Sequence, residues 1–90
     1  MKKQITNLAK MFDILSNEVR LCILVNLYLH GEKNVTDLKE CADSSQSFVS
    51  QQLSKLKDLG IIEARKRGVE VYYSIKDPEI KRVIEQINRW

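Results

Sequence analysis

Several residue types are scarce in this chain, and each scarcity narrows what it can be. There is one proline, Pro78, and three glycines, Gly31, Gly60 and Gly68. With no Pro/Gly-rich linker, repeat or low-complexity tract, the 90 residues read as a single domain, 1–90. Two cysteines, Cys22 and Cys41, and one histidine, His30, are too few for a disulfide-rich scaffold or a four-ligand zinc site within one chain. Two cysteines also suit a reducing cytosol. Long apolar runs are missing. The longest, from Leu21 to Leu29, is broken by Asn26 and is far shorter than the roughly 20 residues of a membrane span. The N-terminal MKKQITNLAKMFDILSNEVR lacks the apolar run of a signal peptide. A cytoplasmic location with no membrane partner is therefore expected. No C-x-x-C, no Gly-rich phosphate loop and no Ser/His/Asp set surrounds His30. Neither an enzyme nor a bound cofactor is expected, and His30 reads as a helix-end cation or cap.

The chain does have enough apolar residues, 43%, for a small core, and small cores are marginal on their own. A second copy would supply further burial. Fifteen cations against twelve anions give a net charge of +3. That balance is compatible with an anionic partner without demanding one, so the placement of the charges decides.

Periodicity orders the elements. Ile5, Leu8, Phe12 and Leu15 recur at helical spacing and predict a first helix over 3–15. Asn17 is a plausible cap for a second helix, 18–30, apolar around most of its circumference and so placed in the core, with Gly31 beyond its end. Asn34 caps a short third helix, 35–42, and Asp43-Ser44-Ser45 makes a polar turn. A fourth helix, 46–59, buries Phe48, Val49, Leu53, Leu56 and Leu59, and Gly60 stops it. The period then changes. Residues 61–65 form a strand, Lys66-Arg67-Gly68 a turn, and Val69, Val71, Tyr73 and Ile75 alternate with polar neighbours as a half-buried second strand. Asp77 and Pro78 open a last helix with Ile80, Val83, Ile84 and Ile87 on its stripe and Trp90 continuing it. The fold class is mainly α with a small β-hairpin: five helices in the order ααααββα, a winged helix-turn-helix.

In that arrangement the fourth helix has its buried stripe fixed by Phe48, Val49, Leu53 and Leu56. What remains is Gln46, Ser47, Ser50, Gln51, Ser54 and Lys55, a face of short polar side chains with almost no negative charge. Glutamine can bond an adenine edge in bidentate fashion, serine reaches bases or phosphates, and lysine neutralises phosphate. An ordinary solvated helix carries more Glu and Lys. Arg65, Lys66 and Arg67 place three cations at the hairpin, in reach of a flanking minor groove or backbone. The stripes of the first and last helices (Ile5, Leu8 and Phe12; Ile80, Val83, Ile84 and Ile87) either complete the monomer core or form a dimer interface, and the second reading is favoured. Trp90 is either an anchor of that interface or a frayed end.

The stretches L-S-N-E-V-R-L-C-I-L (15–24), D-S-S-Q-S-F-V-S-Q-Q-L-S-K-L-K-D-L-G-I-I (43–62) and R-K-R-G-V-E-V-Y-Y-S-I-K-D-P (65–78) resemble the ArsR/SmtB family of winged-helix repressors. The resemblance implies a homodimer paired through the first and last helices, and an inducer that releases operator DNA. It places the DNA-reading positions on Ser45, Gln46, Ser47, Ser50, Gln51 and Gln52, the last where relatives mostly have histidine. The cysteine pair of the family's arsenic- and cadmium-type site falls here on Asn34 and Thr36. Of the zinc-type site, only the first pair has counterparts, Asp77 and Glu79, and a cap role for Asp77 is the simpler reading. No metal is therefore expected. A further branch senses oxidants or reactive sulfur with two cysteines in the second and last helices. Cys22 lies in the second helix at another turn, and Cys41 in the third, so the two are either small core residues or a thiol switch.

The sequence thus points to a regulator that binds a pseudo-palindromic operator as a homodimer. The inducer is left open, with thiol-reactive chemistry at Cys22 and Cys41 among the options. The alternatives are a winged-helix protein-interaction module, which would be expected to lose the basic wing, and a regulator with a non-standard metal or small-molecule site.

Overall fold

Capping residues set most of the helix boundaries. The computed structural model describes residues 1–87, apart from the side chains at positions 41 and 42. Helix α1 (Lys2–Leu15) begins without a side-chain cap. Helix α2 (Glu18–His30) starts where Asn17 Oδ1 accepts from the amides of Val19 and Arg20 at 2.9 and 3.1 Å. Asn34 Oδ1 does the same for Asp37 at the head of α3 (Val35–Ala42), at 3.0 Å. Ser45 Oγ accepts from Phe48 at the head of α4 (Gln46–Asp58), at 3.1 Å. Between these two helices Asp43 turns the chain with φ +47°, the left-handed conformation that Asp tolerates better than most residues. Asp77 Oδ1 accepts from Glu79 and Ile80 to open α5 (Pro78–Ile87), with Pro78 in the first helical position.

Strands β1 (Ile62–Arg67) and β2 (Glu70–Ile75) pair antiparallel, with Ile62 opposite Ile75 and Arg67 opposite Glu70. Gly68, at φ +62°, supplies the left-handed residue that a two-residue hairpin turn requires. The hairpin is also tied to the body. Lys33 and Tyr73 exchange backbone bonds at 3.2 and 2.8 Å, and the Ile61 carbonyl accepts from Lys76 and Asp77.

The core forms around α2, which packs against α1, α3, α4, β2 and α5. Ile23, Leu24 and Leu27 from α2 meet Leu38 of α3, Val49, Leu53 and Leu56 of α4, Ile61 and Ile62 at the strand entry, and Ile80 and Ile84 of α5. Among the described residues this gives five helices and a two-stranded hairpin, the winged helix-turn-helix order expected.

Several details differ from the sequence reading. Phe48 and Leu59 were expected in the buried stripe of α4, but they are 37% and 52% exposed, because the helix ends at Asp58 and its inner face is filled by Val49, Leu53 and Leu56. Lys66 and Arg67 belong to β1 rather than to a turn, and the turn falls on Gly68-Val69. Val69, expected on the half-buried face, is 97% exposed, because the hairpin tip projects beyond any partner layer. Helix α2 is not wholly interior, since Leu29 is half exposed and Cys22 and Val25 only half-buried. Trp90 lies outside the described residues. Leu53 is 1% exposed in the middle of the α2–α4 contact. Leu53→Ala is expected to cost about 2–5 kcal/mol of stability, read as a lower urea midpoint at unchanged slope.

Candidate nucleic-acid interface

Burial of Val49, Leu53 and Leu56 leaves the opposite side of α4 in solvent. Ser45, Gln46, Ser47, Ser50, Gln51, Ser54 and Lys55 are all exposed. The first turn of α4 carries no acid, and Lys55 and Lys57 sit in its last turn. Its partly positive N-terminal end is therefore not neutralised locally, which favours an anion. Ser45 uses its oxygen as the cap acceptor, and its hydroxyl proton remains available as a donor.

Arg65, Lys66 and Arg67 are exposed on β1, with Arg65 and Arg67 on one face of the strand and Lys66 on the other. The wing and α4 are neighbours. Ser50 and Thr36 line one side of a shallow cleft whose other side is Val69, Glu70 and Val71 of the hairpin. The expected base-reading helix and the expected basic turn thus lie next to each other.

Arg67 is held in a polar web at the wing root. Its Nη2 meets Glu32 Oε1 at 2.8 Å, and its guanidinium lies 5.3 Å from the centre of the Tyr72 ring. The Tyr72 hydroxyl and the Asn34 amide both donate to Glu70 Oε2, at 2.9 and 3.1 Å. The hydrogen bond to Glu70, and then the charge of that carboxylate, raise the Tyr72 hydroxyl above its ordinary value of 10.0. A phosphate would have to draw Arg67 from Glu32. Exposed pairs of this kind are worth only about 0.2–1 kcal/mol, so the pairing tempers Arg67 without disabling it.

Gln52 behaves differently from its neighbours. It is half-buried, and its Oε1 accepts from Arg20 Nη1 at 3.1 Å, so its side chain turns towards α2. Arg20 and Glu32 are the two residues that reading the sequence missed. Arg20 left a signal, as the one cation inside the apolar run V-R-L-C-I-L-V. Glu32 left none, since its role depends on a contact 35 residues away in sequence.

The expected dimer surface divides in two. Ile5, Leu8 and Phe12 are 60%, 50% and 62% exposed, whereas Ile80 and Ile84 are 1% and 0% exposed. The last two are thus corrected from interface to core, because α5 lays that side of its stripe onto α2; Val83 and Ile87 are half-buried beside it. Cys22 is half-buried on the wall of a groove with Leu21, Val25 and Leu29, and is disulfide-bonded. Among the described residues, no group of three or more His, Cys, Asp or Glu side chains is placed to hold a metal ion, and no helix is long and apolar enough to cross a membrane.

A helix-turn-helix whose second helix presents an exposed polar face, acid-free in its first turn, beside a cationic wing defines a winged-helix DNA-binding regulator. Comparison with known proteins agrees. Residues 17–64 match the model of the arsR family of bacterial regulatory proteins. The cadmium resistance transcriptional regulatory protein CadC homolog of Staphylococcus aureus is 39% identical over 94% of this chain and 70% of its own length. The transcriptional repressor PagR of Bacillus anthracis is 32% identical over 89% of this chain and 80% of its own. The crystal structure of the transcriptional regulator HlyU from Vibrio vulnificus CMCP6 superposes with a TM-score of 0.91 at 31% identity, covering 99% of this chain and 92% of that one. The chain belongs to the arsR family and is a DNA-binding transcriptional regulator.

Two outcomes follow from the web around Arg67. Glu32→Gln is expected to free Arg67 and tighten DNA binding by up to about fivefold, measured by fluorescence anisotropy at moderate salt. Tyr72 is expected to ionise above free tyrosine in an ultraviolet titration, and Glu70→Gln to bring it back towards 10.0. Because the folded value is raised, the Tyr72–Glu70 contribution is complete below the free-tyrosine value and is lost only as pH climbs through the raised one.

Proposed function

We propose that the chain is a repressor that binds a pseudo-palindromic operator as a homodimer and is released by an inducer. Two copies of α4 enter successive major grooves about 34–36 Å apart, and the wings lie on the flanking backbone or minor groove. The observation that carries this reading is the exposed Ser/Gln face of α4, acid-free in its first turn, with Ser50 next to the hairpin that bears the cations of β1. Ser45, Gln46, Ser47, Ser50 and Gln51 meet bases or phosphates, while Lys55, Arg65, Lys66 and Arg67 neutralise phosphate.

The dimer is supported by α1. Residues 1–10 are all exposed, and Ile5, Leu8 and Phe12 form an apolar stripe that the described residues leave largely in solvent. A continuous exposed stripe of this kind favours association. Val83 and Ile87 of α5 would join it, making residues 1–90 one DNA-binding domain with pairing helices at both ends.

The signal is a separate matter. Asn34 is occupied as the α3 cap and as a donor to Glu70. The cadmium in the staphylococcal relative's name is therefore not carried over to Asn34 and Thr36. The disulfide-bonded state of Cys22 favours a thiol-reactive inducer acting at Cys22 and Cys41. Operator binding by reduced and oxidised protein, with mass spectrometry of both cysteines, tests that reading, and equal binding in the two states would remove it.

The test of the main reading is selection of a duplex from a random pool, followed by affinity against salt. Gln51→Ala is expected to flatten preference among sites. Arg65→Ala should weaken binding to all of them and lower the salt slope by about one. Phe12→Glu is expected to shift the protein to monomers by analytical ultracentrifugation and weaken operator binding by more than tenfold. A wild-type protein that enriches no sequence would refute the proposal.

A further inference from the structure

We infer that Gln52 is a positioning residue, which ties the recognition helix through Arg20 to the C-terminal end of α1 and does not itself read a base. The inference rests on the DNA-binding reading above, and it concerns how the pose of α4 is set.

Arg20 is the one buried charged side chain among the described residues, 8% exposed. Its guanidinium reaches three acceptors on two other helices. Nε donates to the Ile14 carbonyl at 2.8 Å, Nη2 to the Asp13 carbonyl at 3.0 Å, and Nη1 to Gln52 Oε1 at 3.1 Å. None of the three is a carboxylate. The positive charge is balanced by the partly negative end of α1, where the helix runs out of amides to take its carbonyls, and by one side-chain amide. The planar guanidinium holds its donors in a fixed fork, so α1 and α4 are fixed relative to each other as well as to α2.

The place of Gln52 on its helix agrees. Val49, three residues before it, and Leu56, four after, are both fully buried. Gln52 therefore stands at the margin of the inner face of α4, while Ser47, Ser50, Gln51 and Ser54 occupy the outer one. A bidentate contact to adenine needs both the oxygen and the nitrogen of the amide. Here the oxygen already serves Arg20. Removing it leaves a buried, charged N–H without its acceptor, and the helix that carried the acceptor loses its tether.

The experiment compares Gln52→Ala with Gln52→Glu on the operator selected by the wild-type protein and on a panel of its single-base variants. Gln52→Glu keeps the acceptor for Arg20 but removes the amide donor that any adenine reading would use. Gln52→Ala is expected to lower affinity about tenfold, equally across the panel and at an unchanged salt slope. Gln52→Glu is expected to stay within about twofold of wild type, with the same base preference. In the free protein, hydrogen exchange over residues 9–16 is expected to speed up in Gln52→Ala and not in Gln52→Glu. A preference lost at one base pair in either variant, or a Gln52→Glu as weak as Gln52→Ala, would overturn the inference. Unchanged exchange in Gln52→Ala would overturn it without any DNA, and so separates its failure from a failure of the DNA-binding reading.

Discussion

The burial of Val49, Leu53 and Leu56 against α2 is the constraint from which the rest of the arrangement follows. A helix of 13 residues has only so much circumference. Once that stripe is committed to the interior, Gln46, Ser47, Ser50 and Gln51 are placed outward by helical geometry alone. The hydrophobic effect supplies most of the energy here and none of the specificity. In the proposed function specificity falls to the polar side chains left over, whose positions the core determines although they add little to it.

Much of this could be read from the chain itself. Asn17, Asn34 and Asp77 announce their helices because a side-chain oxygen before an apolar stripe has one obvious use, and all three accept the expected amide bonds. The polar outer face of α4 was legible for the same reason, since helical spacing separates it from the leucines. What could not be read are the outcomes of competition between elements. Ile80 and Ile84 look like Ile5 and Leu8 as members of an apolar stripe, yet the first pair is interior and the second is not, because α5 lies on α2 while the described residues leave the start of α1 largely in solvent. Val69 alternates correctly for a half-buried strand, but alternation only marks a face and does not guarantee that another layer reaches it. The bonds of Arg20 to Gln52 and of Arg67 to Glu32 span 32 and 35 residues, and no local pattern encodes them.

The charges are arranged with similar economy. Arg67 is an exposed cation that already has an acid beside it and a ring beneath it, whereas Arg65 and Lys66 have no such partners among the ion pairs and ring contacts of the described residues. The three cations of the wing are therefore not equivalent. Arg67 is oriented in advance at some expense in availability, whereas under the proposed function the other two would lose more side-chain entropy on meeting a phosphate. Glu70 gathers Tyr72 and Asn34 at the wing root and keeps that orientation coupled to the head of α3.

Helix α1 begins without a cap, and its first nine residues contribute nothing to the interior. Isolated helical turns of that length are marginal in water. Whatever surface comes to cover the stripe of Ile5, Leu8 and Phe12 must also hold those turns in shape, so the ordering of one end of the molecule is linked to encounter. The shape of that end of the molecule is therefore borrowed from its surroundings, where the rest of the chain draws its shape from its own interior.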